Sequence, residues 1–575
     1  MSRSDRRFHR FHNVALVCAI AAVWGFAFRV WPASQESIVS SPHNLSLSGP
    51  GPVKSLSETE ICIFCHVPHR AGVPPLWNRE LSQAGYITYK SSTAKAQPGQ
   101  PTGASKLCLS CHDGTIAVGR LLSRPGGAPM GTAERIRGRK NLGTDLSNDH
   151  PISMSYSQAQ TGRPGGFKAL PGPYGPVALD PTGQVQCTSC HDPHNNGYGD
   201  FLVMDNREGR LCLMCHDVRN WGSCSHNLST ARWNGAGPNP WPYTPYEDVH
   251  TNACANCHTM HDAGGPEHLL YYLKEADTCY SCHNGSVAPK DLRRDFESPF
   301  RHRVEAAIGS RPKPTGREYR VTRSGCTDCH NPHAANTMDG VKPNVSGALA
   351  GVSGMSATGG IMSEARYEYE VCYKCHSAAA EYSVTRLIRR DRMFSSLRDK
   401  FNPSAASFHP VQGVGRNANV PSLIPPLSPS SLVSCTDCHR TDSAGPNAVM
   451  GPHGSKNRFL LALPYQTGDM VTESQQAYAL CYECHDRMSI ISDRSFTEHN
   501  RHVVRVRAPC SVCHDAHGIS RSEGTFVHNA HLINFDTTVV RRDLVTQRLE
   551  YTAEGFQKGA CYLSCHGVNH SPHSY

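Results

Sequence analysis

The chain has 575 residues, 57 Lys+Arg against 48 Asp+Glu for a formal net charge of +9, and only 38% hydrophobic residues beside 49 Gly and 40 Pro. That is too little apolar material, and too many turn formers, for several conventional hydrophobic cores. Charged residues are only 18%, which excludes a highly charged disordered tail, and 26 Cys and 33 His must supply what the aliphatic residues do not.

Residues 1–34 read as an export leader or an N-terminal anchor. Arg3, Arg6, Arg7 and Arg10 precede an apolar run from Val14 to Phe28, the charged and apolar parts of a signal sequence. Gly25-Phe26-Ala27 and Pro32-Ala33-Ser34 both offer a small-residue end to it. The run is short for a full membrane span. Cys18 lies inside it behind Val17, where a lipidation site has Gly or Ala, so it reads as leader. The sequence has no other long apolar stretch, and a soluble mature chain is expected.

The cysteines decide the class. Twenty-four of the 26 fall into twelve pairs, and eleven pairs read C-x-x-C-H. These are Cys62/Cys65/His66, Cys108/Cys111/His112, Cys187/Cys190/His191, Cys212/Cys215/His216, Cys254/Cys257/His258 and Cys279/Cys282/His283. Cys326/Cys329/His330, Cys372/Cys375/His376, Cys435/Cys438/His439, Cys481/Cys484/His485 and Cys510/Cys513/His514 follow. The twelfth, Cys561/Cys565/His566, reads C-x-x-x-C-H. C-x-x-C-H attaches c-type haem: the thiols form thioethers to the porphyrin vinyls and the next His ligates iron. Composition alone predicts roughly 0.07 such matches, so eleven cannot be accidental. Disulfide frameworks need no His after every second Cys, and zinc ribbons need four ligands per metal and no regular His. The expected cofactor is therefore haem c, twelve copies, with the twelve motif His as proximal ligands. Their propionates turn the +9 polypeptide into a holoprotein of about −3 when oxidised and about −15 when reduced. The basic residues then balance propionates. No basic-aromatic interleaving points to nucleic acid.

The motifs repeat in pairs. Within the six pairs the motif His are 46, 25, 25, 46, 46 and 52 residues apart. These pairs predict six tandem di-haem units at 35–130, 131–222, 223–292, 293–395, 396–492 and 493–575. Most first motifs carry a second His three residues on: His69, His194, His261, His333 and His517. The fifth pair places its counterpart at His453, after a Gly/Pro-containing insertion. Each pair also has a His upstream. His150, His302, His409 and His502 share the pattern His, any residue, then Ile or Val; His43 and His226 share SHNLS or PHNLS contexts. These twelve supply one distal ligand per haem. His250 and His499 compete with His226 and His502, and His531 stands out among the remaining His. Two His three apart lie on one side of a turn, so the later His of a first motif is expected to reach the neighbouring haem of its own pair. None of the 13 Met recurs in register with the repeat. Bis-His ligation follows, and it leaves no open iron position and a lower potential than Met/His.

The chain resembles the multihaem c-type cytochromes with doubled C-x-x-C-H motifs found in metal-reducing bacteria. The segments that carry the resemblance are SPHNLS followed by EICIFCHVPH, then SKLCLSCHDGTIA, CHDPH and the closing CYLSCHGVNHSPHSY, and it extends over nearly all of the chain after residue 40. It implies electron transfer between periplasmic donors and an outer-membrane or extracellular acceptor such as metal oxides. The implied location is the periplasm or the outer-membrane or extracellular face of a Gram-negative bacterium. Partners would be redox proteins, an outer-membrane porin or other multihaem cytochromes, with membrane contact only through an uncleaved N-terminal segment. The family includes outer-surface lipoproteins, and their N-terminal lipidation signature is missing here.

The expected fold has haems as its core: mostly irregular coil, short α-helices after each motif, and little β. The Gly-, Pro- and Ser-rich stretches near 121–180, 337–364 and 411–434 read as surface connections. An apo chain should not fold, as for other metal-dependent folds. The sequence points to an electron-transfer protein and to no catalytic residue. The alternative is a multihaem reductase with one open-site haem acting on a small nitrogen or sulfur oxyanion. Such a site is often marked by Lys in place of the motif His, and no C-x-x-C-K occurs. Cys224, unpaired beside Ser225 and His226, reads as a buried free thiol.

Overall fold

The computed structural model describes residues 37–69, 75–131, 134–169, 175–304, 324–377, 390, 396–445 and 448–575. The expected leader, with Cys18, lies outside the described residues. Apolar side chains gather in small separate clusters spread along the chain, such as Phe64/Leu121/Ala128, Tyr86/Leu109/Leu146 and Tyr369/Tyr373/Phe401/Val411. Most clusters pack beside a motif, with Cys65, Cys435 or Cys510 at the edge of one. Apolar residues this sparse cannot build one continuous core.

Regular structure is short. Among the described residues the two longest helices, α1 (Gly103–His112) and α2 (Glu368–His376), each end on a motif His. Helical turns coincide with the motif cysteines more often than they follow them, as at Cys62–Phe64, Cys187–Ser189, Cys326–Cys329 and Cys510–Cys513; a helix that follows a motif is Arg487–Ile491, just after His485. The motif itself explains this: the N–H of His66, His191, His258, His330 and His514 donates to the carbonyl of the first Cys at 2.8–3.0 Å, closing one turn. The connection expected near 121–180 contains a helix at Tyr156–Gly162. Ser155 caps it, and buried Tyr156 donates its hydroxyl to the carbonyls of Lys168 and Cys215.

Most strands are two-residue ladders, as between Met154–Ser155 and Gln184–Val185. The exception closes the chain. Strands β1 (Glu550–Gly555), β2 (Lys558–Cys565) and β3 (Val568–Ser574) form an antiparallel sheet in that order. Leu549, Tyr551 and Leu563 pack from it onto Val512, Ile533, Phe535 and Val540.

Two buried cations hold irregular backbone where a ladder is missing. Arg79, 1% exposed, donates to Ser110 Oγ and to the carbonyls of Ser110, Ala117 and Val118. Lys400 is ion-paired to Asp515 at 2.6 Å and Glu523 at 3.2 Å. Unpaired carbonyls and charges at these depths would each cost free energy. Among the described residues no helix is long and apolar enough to cross a membrane.

Candidate haem sites

The His side chains meet in pairs. Ring centres lie 6.2 Å apart for His66 and His194, His43 and His112, His191 and His261, His258 and His333, and His302 and His376. The spacing is 6.3 Å for His150 and His216, 6.1 Å for His226 and His283, and 6.0 Å for both His330/His453 and His439/His517. It is 6.5 Å for His409 and His485, and 6.4 Å for both His499/His514 and His502/His570. Two imidazoles on opposite faces of one iron, each with a metal–nitrogen bond of about 2.0–2.1 Å and a ring centre about 1.1 Å further back, stand about 6.3 Å apart. The pairs fit a bis-His iron.

The hydrogen bonds fit it as well. His66, His112, His191, His258, His330, His439 and His514 donate Nδ1–H to the carbonyls of Pro75, Lys140, Asp200, His268, Ala348, Phe459 and His531, at 2.7–3.0 Å. Holding the proton at Nδ1 presents the Nε2 lone pair to a metal and orients the ring. Burial pushes His150, His216, His283, His376 and His485 down to about 4, and His453 and His499 to about 3. All are neutral at physiological pH, which is the ligating form.

The pairing runs forward along the chain. The second His of a first motif was expected to serve its own motif pair. Instead His194, His261, His333, His453 and His517 each face the first-motif His of the preceding pair. The residue before each of these also holds the preceding pair's upstream His. His43, His226, His302 and His409 donate Nδ1–H to the carbonyls of Pro193, Pro332, Pro452 and Ala516 at 2.6–3.1 Å. His150 takes Met260 through its backbone N–H. At four of the five positions a single C-H-x-x-H turn therefore positions both partner imidazoles of the pair before it; at the fifth, Pro452-His453 does so from 14 residues beyond His439. The two His of such a turn meet different neighbours, because three residues along a tight turn do not bring them across a common centre.

Three expected positions come out differently. Among the described residues the ring of His69 meets no other. His514 is met by His499. His566 is held by Asp469 at 2.9 Å through its Nε2, and His570 takes the place opposite His502. His226 and not His250 faces a motif His; the Nδ1 of His250 is bonded to the Asn227 carbonyl. His531 contributes its carbonyl to His514. Cys224 is buried with its thiol 3.0 Å from the Pro332 carbonyl.

The cysteines order the motifs. The first Cys of each second motif meets the first Cys of the next pair: Cys108 with Cys187, Cys212 with Cys254, Cys279 with Cys326, Cys372 with Cys435, and Cys481 with Cys510. Within pairs it is the second cysteines that lie close, as Cys65 with Cys111, Cys190 with Cys215, Cys257 with Cys282 and Cys438 with Cys484. Side chains brace the junctions. Glu275 accepts from the N–H and hydroxyl of Thr327, and Glu368 from those of Thr436. Ser105 accepts from the N–H of Cys187. Each bridge caps the turn that begins the next motif. Beyond these sites, no cluster of three or more His, Cys, Asp or Glu able to hold a metal occurs among the described residues.

Comparison with known proteins agrees with this chemistry. The doubled CXXCH motif family matches residues 180–220 and 429–490. The multiheme cytochrome MtrA of Shewanella baltica (strain OS185) is 24% identical over 209 residues, which is 34% of this chain and 44% of that protein. The match thus spans less than half the length of that relative.

Proposed function

From the premise that the chain is a multihaem c-type cytochrome that transfers electrons, we propose that it is a twelve-haem conduit. Six di-haem units lie in tandem, and each iron is held between two imidazoles. The observation that carries this reading is the set of twelve His pairs at 6.0–6.5 Å. Bound haem supplies one-electron redox chemistry and no more.

The polypeptide does the rest. The paired imidazoles would hold the iron from both sides and exclude substrate from it. The carbonyls that take Nδ1–H keep each ring oriented and basic. Cysteines lie first-to-first between motif pairs and, in four of the six pairs, second-to-second within them; in the other two Cys329 neighbours Cys372 and Cys513 neighbours Cys561. This succession supports an unbranched path in sequence order from Cys62 to Cys565. The partners are redox proteins, either an outer-membrane porin complex or other multihaem cytochromes. The setting is the periplasm or outer membrane, and the acceptor a metal oxide or another extracellular oxidant. The likeness to MtrA and the charged, apolar N-terminal sequence support that setting. Electron paramagnetic resonance of the oxidised holoprotein, with haem content by pyridine haemochrome, tests the reading. Twelve haems, all low-spin, are expected. A high-spin iron in the unmodified protein would instead favour a reductase.

A further inference from the structure

The last motif departs from the others in sequence, secondary structure and ring pairing, and these departures agree with one another. Cys561 and Cys565 lie on strand β2 and not on a helical turn. Alternate residues of a strand share a face, so Cys561, Leu563 and Cys565 point the same way. That face is the inner one: Leu563 is buried, and both cysteines pack on the cluster formed with Val512 and Phe535. Directly opposite residues of antiparallel strands also share a face. The register sets His570 opposite Leu563 and Cys565 opposite Val568. His570 therefore projects on the cysteine face at the level of Leu563, and His573, opposite Cys561, shares that face. The ring centre of His570 is 6.4 Å from that of His502, and its Nδ1 is buried without a hydrogen-bond partner among the described residues.

His566 is placed otherwise. It sits in the β2–β3 turn with φ +48°, a left-handed conformation. Its Nε2, the atom the other motif His leave free, is bonded to Asp469. We propose that the C-terminal haem iron is ligated by His570 and His502, and that His566 is a positioning residue that anchors the hairpin through Asp469. A β-hairpin here does what a C-x-x-C-H turn does elsewhere: two cysteines and one imidazole converge from one surface.

This rests on the bis-His reading above, so the unmodified holoprotein is measured first. If it lacks twelve low-spin haems, the conduit reading fails and not this assignment alone. His573 lies 5.1 Å from His570 and is removed in the same variant to prevent substitution. The full-length holoprotein carrying His570→Ala and His573→Ala is expected to show one high-spin iron in twelve, while His573→Ala and His566→Ala chains keep every bound haem low-spin. Should the double variant fail to mature, His570→Met is read by redox titration, with one of twelve haems expected at raised potential. A His570→Ala/His573→Ala protein that stays entirely low-spin, or a His570→Met protein with an unshifted titration, overturns the assignment. So does a high-spin signal from His566→Ala.

Discussion

His66 and His194 face one another at 6.2 Å with their rings 19° from parallel, although they belong to different motif pairs. The same forward step recurs at His191/His261, His258/His333, His330/His453 and His439/His517. Each of these first-motif imidazoles is thus met by a His from the motif pair that follows it in the chain. At His514 the facing ring is that of His499, 6.4 Å away.

The forward step predicts a specific spectroscopic phenotype. His194→Ala should give one high-spin iron per chain, because it removes the partner of His66. His69→Ala should leave the spectrum unchanged. Paramagnetic resonance of the two holoproteins decides it, and a high-spin signal from His69→Ala would contradict the pairing.

His499→Ala should likewise expose one iron, whose open face is that of His514. Carbon monoxide binding to the reduced protein should rise from none to about one equivalent per chain. If His499→Ala binds none, the cap at His514 is supplied by another residue.

Lys400 is almost fully buried between Asp515 and Glu523. Burial pushes the Asp515 carboxyl up, but Lys400 and Arg390 outweigh it and hold it below the usual carboxylate range. Lys400→Met leaves buried Glu523 without its cation and Asp515 with Arg390 alone, 3.9 Å away, a loss of about 3–5 kcal/mol. Guanidinium denaturation of the holoprotein should show a lower midpoint, and an unchanged midpoint would place the ion cluster outside the cooperative fold.

Asp543 ties strand β3 to the preceding turn. It accepts from Asn569 Nδ2 at 2.7 Å, Ser571 Oγ at 3.0 Å and the N–H of Thr546 at 2.7 Å. Burial pushes its carboxyl up, yet these hydrogen bonds dominate and hold it well below the ordinary range. A depressed folded-state pKa stabilises fully above the unfolded value of about 3.9 and is lost as pH falls below it. Proteolysis of the C-terminal sheet should therefore accelerate below about pH 4. Asp543→Asn should flatten that dependence while weakening the sheet at neutral pH.

Haem attachment should be the condition for folding. The scattered clusters of three to seven buried side chains bury too little apolar surface to order 575 residues. Chain made without haem attachment should lack protease-resistant structure. A compact, protected apo chain would show that the polypeptide supplies its own core.

What the sequence determined by itself is the local chemistry. Thioether attachment needs two thiols and an imidazole on one turn, and a turn is a few consecutive residues, so Cys62-x-x-Cys65-His66 is readable without a fold. The pool of partner imidazoles was readable too, since His43, His150, His194 and His261 recur in register with the motifs. Which imidazole meets which was not. Partners approach from opposite faces, so they come from distant segments, and the choice between the same pair and the next depends on how one C-H-x-x-H turn packs on the unit before it. Only the tertiary structure set His194 against His66 and left His69 outside. Least legible were the partners of His514 and His502. His499 meets the first and His570 the second, and the strand pairing that sets His570 on the face of Cys561 and Cys565 appears only once β2 and β3 are paired.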